Sequence, residues 1–247
     1  MPANSTAHSE FETQSMLYPE IAGKRVFIAG ISNAFGVDVA RMFAEAGAKL
    51  TLQFDEDSLE MAAVAEMLAP VAPSLAARHG AFKSVDAIVQ FARGAIADMG
   101  GVDIVINIVR LEAGADLSGC DAATIEQKVS DILTAACLIS RIAANRMRLT
   151  LTKGLILSLA SVSATATAPE RAFASIAKSA LSTMTRREAQ AWAEQGIRFN
   201  AVAPETQGVA GGLTDELDVA SLALYLASGR GASLSGHTFE AEPLVSI

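Results

Sequence analysis

The sequence predicts a single doubly wound α/β domain, a parallel sheet of about seven strands with helices on both faces. Short β-branched runs alternate with longer helical patterns from Lys24 to Glu240, and no break marks a second domain. Hydrophobic residues make up 51% of the 247 residues and aromatics only 5%. Aliphatic side chains therefore fill the core, as expected for a sheet buried on both sides. A glycine-bearing turn, Ala29-Gly30-Ile31-Ser32-Asn33-Ala34-Phe35-Gly36, links the first strand to the first helix.

The elements follow in order. Residues 1–22 are polar and aperiodic, a pattern that predicts a flexible tail, with the domain over residues 23–247. Lys24–Gly30 is a strand, Ala34–Ala46 a helix and Lys49–Phe54 a second strand, together one βαβ unit. Helices are predicted over Asp57–Leu68 and Ser84–Met99, then a central strand over Val102–Asn107. A long helix spans Ala122–Met147, a strand Gly154–Leu159, and a small-residue helix Arg171–Glu194. The last elements are a strand at Ile197–Val202, a helix at Glu216–Ala227 and an edge strand at His237–Glu240. Right-handed crossovers then give a Rossmann-type sheet, with any ligand at the carboxyl ends of the strands near the topological switch.

Composition excludes several function classes. A formal net charge of −8 disfavours nucleic acid and anionic membrane surfaces, whose binding needs clustered cations. Arg141, Arg146 and Arg148 suit the end of a helix, where the dipole favours positive charge. Cys120 and Cys137 lack metal-ligand spacing and read as thiols in a reducing compartment, so a cytoplasmic location is expected. No apolar run reaches membrane-spanning length. His79 and His237 stand alone, and no metal site is expected.

The glycine turn has a chemical rationale. A pyrophosphate can sit on the unpaired amides of a helix N-terminus only where the backbone comes close and takes dihedrals that glycine permits. A tight turn without a ligand would use the same residues. The second strand ends Phe54-Asp55-Glu56-Asp57, and an acidic side chain there can hold a ribose diol and repel a 2'-phosphate, favouring NAD(H) over NADP(H). Asp57 is also placed to cap the following helix.

Taken with Asp103-Ile-Val-Ile-Asn107 and Ile197-Arg-Phe-Asn-Ala-Val-Ala-Pro204, this turn resembles the short-chain dehydrogenase/reductase family over about Lys24 to Ala241. Gly30 and Gly36 match the outer positions of that family's Gly-x-x-x-Gly-x-Gly, with Ala34 in place of the middle glycine. The resemblance assigns dinucleotide contacts to Gly30, Ser32, Asn33, Phe35, Gly36, Asp55, Asn107, Lys178 and Pro204. It assigns catalytic roles to Ser161 and Lys178, the serine orienting a carbonyl and the lysine lowering a tyrosine's pKa.

The tyrosine itself is missing. Four residues before Lys178 stands Ala174, and the chain's two tyrosines, Tyr18 and Tyr225, lie far away in sequence. The position of the relay asparagine is Ile132, the family's Asn-Asn-Ala-Gly is Asn107-Ile108-Val109-Arg110, and its Pro-Gly is Pro204-Glu205. The segment between Pro204 and the last helix is short for a substrate flap. Arg110 at a strand end is placed to bind an anion or plug the crevice.

Three functions follow from the resemblance. One is an NAD(H)-binding homologue with lost or strongly reduced oxidoreductase activity. A second is a structural or regulatory subunit that binds no nucleotide and assembles with itself or with an active relative through the helix Ala172–Ala193 and the segment Leu234–Glu240, and on any reading the resemblance implies a homotetramer or homodimer. A third keeps catalysis with another agent, drawn from Lys178, Ser161, Ser163 or Glu205.

Overall fold

The computed structural model describes residues 17–32, 35–113, 117, 119–163, 165–204 and 216–241. Seven strands form one sheet: β1 (Arg25–Ile31), β2 (Lys49–Phe54), β3 (Ser74–His79), β4 (Ile104–Arg110), β5 (Leu155–Ser161), β6 (Arg198–Pro204) and β7 (Thr238–Ala241). The helices are α1 (Val37–Glu45), α2 (Leu59–Leu68), α3 (Val85–Asp98), α4 (Ala122–Leu149), α5 (Ala168–Trp192) and α6 (Glu216–Ala227).

Local chemistry sets the helix starts. Ser58 and Ser84 accept the N–H groups of Met61 and Ala87, and Asp121 accepts that of Thr124, which caps α2, α3 and α4. The expected cap of α2, Asp57, is corrected to Ser58. Helix α5 begins at Ala168, earlier than the expected Arg171, because Thr167 and Glu170 close a capping box around Pro169. Helix α1 begins at Val37, after Gly36, rather than at Ala34.

The strand order is β3-β2-β1-β4-β5-β6-β7 and every pairing is parallel. Parallel neighbours need crossovers, so the helices divide between the faces. On one face α1, α2 and α6 bury Ile28, Leu52, Ile106 and Leu157. On the other, α3, α4 and α5 cover Phe27, Val105, Ile156 and Ala201. Strand β3 is the element that the sequence pattern does not disclose: it pairs only with β2, and none of its residues is fully buried. A short edge strand of this kind has no apolar face to announce it.

Packing reaches back beyond the expected boundary at residue 23, since Pro19–Ile21 forms a 3-10 turn and Ile21 is only 1% exposed in the core. Residues 1–16 of the expected tail lie outside the described residues. At the amino ends of the strands Arg25 fastens β1 to β4. Its Nε donates to Asp103 Oδ2 and its Nη2 to Oδ1, both at 2.9 Å, and its backbone N–H adds a third bond to Oδ2. Burial raises the Asp103 pKa, but the hydrogen bonds from Arg25 outweigh it and hold the carboxyl below the usual range. Opposite this clamp, β1 leads to β2 on one side and lies against β4 on the other, so a crevice opens at their carboxyl ends.

Candidate active site

Gly30 and Gly36 both lie in the left-handed region, at φ 88° and 109°. A Cβ on Gly30 would meet the Ile108 carbonyl oxygen at 2.6 Å, and one on Gly36 would overlap Ile108 Cδ1. Glycine is favoured at both positions by the left-handed backbone, and at Gly30 also by the close approach of the β4 main chain. Ile108 stands where the resemblance places an asparagine, and its aliphatic side chain packs under the turn.

Several of the described amides at the turn already have partners. Ser32 and Phe35 exchange backbone bonds, Ser32 N–H to Phe35 O at 3.0 Å and Phe35 N–H to Ser32 O at 3.3 Å. Gly30 N–H donates to Gln53 Oε1 at 2.7 Å. The N–H groups of Gly36 and Asp38 both donate to Glu216 Oε1, each at 2.8 Å. A carboxylate from the first residue of α6 thus sits on the N-terminus of α1, the position suited to a phosphate. Burial pushes the Glu216 carboxyl above the usual range, while the bonds from Gly36 and Asp38 draw it back in part. Ser32 is fully buried and its Oγ has no partner among the described residues. Asn33, Ala34 and Glu205 lie outside the described residues.

Beside the turn, between the sheet and α4, is a cavity of about 430 Å³ lined by Gly30, Asp55, Phe82, Asn107, Arg110 and Ile132. Asn107 donates from Nδ2 to Ser140 Oγ at 2.9 Å, and its Oδ1 is buried without a partner among the described residues. Asp55 is paired within the chain: Arg110 Nη2 lies 3.0 Å from its Oδ2, and Gln53 Nε2 lies 3.4 Å from its Oδ1. Arg110 thus lines the cavity and forms an ion pair with the acidic group beside it.

Ser161 ends β5 directly across from Arg110, and its carbonyl accepts the N–H of Leu111 at 2.9 Å. Lys178 lies on α5 with its side chain 13% exposed, and Nζ donates to Pro204 O at 3.1 Å and Glu240 Oε1 at 2.7 Å. One turn before it Ala174 is fully buried with Phe173, Ala177 and Ala203. Tyr18 lies under the Arg230 guanidinium, 5.6 Å from ring centre to Cζ, and Tyr225 is on α6, across the sheet from α5. Ser163 Oγ pairs with Thr165 Oγ1 at 3.0 Å. The described residues named for a cofactor are thus gathered at one end of the sheet, but their charged members are engaged within the chain. Glu216 and Glu240 were not legible as site residues, being 180 and 62 positions from Gly36 and Lys178 in sequence.

Among the described residues no group of three or more His, Cys, Asp or Glu side chains is arranged to hold a metal, and no helix is long and apolar enough to cross a membrane. His79 stacks on Phe54 at 5.1 Å. Neither cysteine is in a disulfide.

A family model described as short chain dehydrogenase matches residues 24–212, and the chain belongs to that family. It is 27% identical over 249 aligned positions to 3beta-hydroxysteroid dehydrogenase 1 of Eggerthella lenta, covering 90% of this chain and 93% of that protein. Glucose 1-dehydrogenase 2 of Bacillus subtilis is 23% identical over 77% of this chain and 74% of its own. Among solved structures, an NADH-dependent reductase complexed with NAD superposes with a TM-score of 0.76 at 20% identity, over 92% of this chain and 98% of that one. A hydroxysteroid dehydrogenase of Escherichia coli gives 0.73 at 21% identity, over 90% and 97%. At these identities the two structures establish the fold.

The fit of a dinucleotide to these residues is divided. The cavity beside Asn107, with an unsatisfied amide oxygen and the nonpolar wall of Phe82 and Ile132, suits an adenosine moiety. The phosphate end, with a carboxylate on α1 and Ile108 beneath the glycines, does not fit as it stands.

Proposed function

We propose that this chain is a short-chain dehydrogenase-type protein that takes the adenosine end of an NAD(H)-type dinucleotide and has lost, or strongly reduced, oxidoreductase activity. The single observation that carries this reading is the state of Lys178. Its ammonium is bound by Glu240 and the Pro204 carbonyl, and the residue one turn earlier is a buried alanine with no proton to give. A positioned general acid or base contributes about two to four decades in rate, so its loss leaves trace turnover at most. Ser161 can still orient a carbonyl by hydrogen bonding, but it lacks a neighbour that donates the proton.

NAD(H) is preferred over NADP(H) in this reading because Asp55 remains the acidic group at the end of β2. The protein is cytoplasmic and assembles as a homodimer or homotetramer through α5 and the region of β7. The test is titration with NADH and NADPH, followed by nicotinamide fluorescence and thermal shift, together with a carbonyl and alcohol turnover screen. Saturable binding with NADH preferred and turnover at least a hundredfold below an active relative is the expected result. Rapid turnover overturns the loss of activity, and no binding at millimolar dinucleotide overturns the cofactor reading.

A second reading has its own observation. The carboxylate of Glu216 on the α1 N-terminus favours a subunit that binds no nucleotide and serves in assembly. Size determination of the protein alone and with an active relative tests it.

A further inference from the structure

We propose that Glu216 is a built-in occupant of the phosphate site, so that a phosphate-bearing ligand binds this crevice only by displacing the chain's own carboxylate.

The geometry is that of a bound anion. One oxygen, Oε1, receives two N–H groups from the first turn of α1 at 2.8 Å each. Helix α1 runs for nine residues, long enough for its aligned peptide dipoles to favour negative charge at this end. A carboxylate and a phosphate oxygen ask for the same donors, and two anions cannot share them. Glu216 is also the first residue of α6, where a negative charge suits that helix as well. One carboxylate therefore serves two helix N-termini, which explains why a partly buried acid is held in place from 180 positions away in sequence.

A second observation points to a ligand at this spot. Ser32 is fully buried in the same turn, and its hydroxyl has no partner among the described residues. A buried hydroxyl without a partner carries a penalty that an acceptor brought within reach of it would relieve. The turn thus keeps one polar group that the internal occupant does not satisfy.

This inference rests on the dinucleotide reading for its natural ligand but is tested apart from it, with inorganic pyrophosphate as a first probe and NADH as a second. Affinities are measured by calorimetry and thermal shift for the wild type, Glu216→Ala and Glu216→Gln, with Asp218→Asn as a control on the same helical turn. Glutamine keeps an acceptor oxygen and the helix while removing the charge, so it remains informative if the alanine variant folds poorly. The expected result is a gain of about tenfold or more in pyrophosphate affinity for both Glu216 variants, with none for Asp218→Asn. Wild-type affinity equal to that of the folded variants, or a gain shared by Asp218→Asn, overturns the proposal. A gain for pyrophosphate with no NADH binding in any variant supports the internal occupant and overturns the dinucleotide reading. Equal NADH binding by wild type and variants, with no pyrophosphate gain, leaves the dinucleotide reading in place and removes the occupant.

Discussion

Arg110 Nη2 lies 3.0 Å from Asp55 Oδ2, joining the ends of β4 and β2 across the mouth of the cavity. The pair is partly exposed, so its own stability is modest, in the range of about 0–1 kcal/mol. Its effect falls on ligand choice. Arg110→Gly frees Asp55 for a ribose diol and removes the guanidinium that would attract a 2'-phosphate. The expected outcome is a rise of about tenfold in the NADH to NADPH affinity ratio, read by fluorescence titration. An unchanged ratio would separate Asp55 from cofactor selection.

Restoring a tyrosine at position 174 should not restore turnover. The position is fully buried among Phe173, Ala177 and Ala203, and a phenol there overpacks the core at a cost of about 1–3 kcal/mol. Lys178 also stays with Glu240. Ala174→Tyr is expected to melt several degrees lower with no gain in dehydrogenase rate, and Ala174→Tyr/Glu240→Gln tests whether releasing the lysine matters. A hundredfold gain in the single variant would mean that the site lacks only its tyrosine.

Gly36 tests whether the turn is built for packing. Its φ of 109° and the overlap that a Cβ would make with Ile108 Cδ1 predict a loss of about 1–3 kcal/mol for Gly36→Ala in denaturant unfolding without ligand. Ile108→Ala should recover part of that loss in a double-mutant cycle, since the clash is with its side chain.

The Arg25–Asp103 clamp predicts a pH dependence. The Asp103 pKa is depressed in the folded chain, so the clamp's stabilisation is complete above the ordinary aspartate value of about 3.9 and fades as pH falls through the lower folded value. Asp103→Asn should lose about 1–3 kcal/mol at neutral pH. Its stability should also fall less steeply than the wild type's below about pH 4, as measured by unfolding at a series of pH values.

How much of this was written locally in the chain differs between fold and site. Lys49–Phe54 and Glu216–Ala227 are found at the bounds that periodicity predicts, and the other predicted elements shift by a few residues. Burial on both faces makes such runs continuous and easy to read. Strand β3 is absent from that reading because Ser74-Leu-Ala-Ala-Arg-His79 is partly exposed along its length and has no β-branched residue. At the crevice, the glycine turn and the family resemblance led to Ser161, Lys178, Gly30, Gly36, Asp55 and Asn107, and Arg110 was marked as an odd residue at a strand end. What they could not supply were the partners. Glu216 reads as an ordinary first-turn acid of its own helix, and Glu240 as a polar residue on an edge strand. Their contacts are tertiary, and no local pattern encodes them.

The strand order also imposes a timetable on folding. β1 is made first among the strands, yet one of its two neighbours in the sheet is β4, and the Arg25–Asp103 clamp closes a span of 78 residues. Closing so long a loop precedes the reward from pairing, and parallel neighbours offer no hairpin as a shortcut. Until β4 arrives, the N–H and C=O groups along one edge of β1 are unpaired and open to pairing with another chain. Refolding should therefore be slow and sensitive to protein concentration, with the β1–β4 junction as the step that commits the chain.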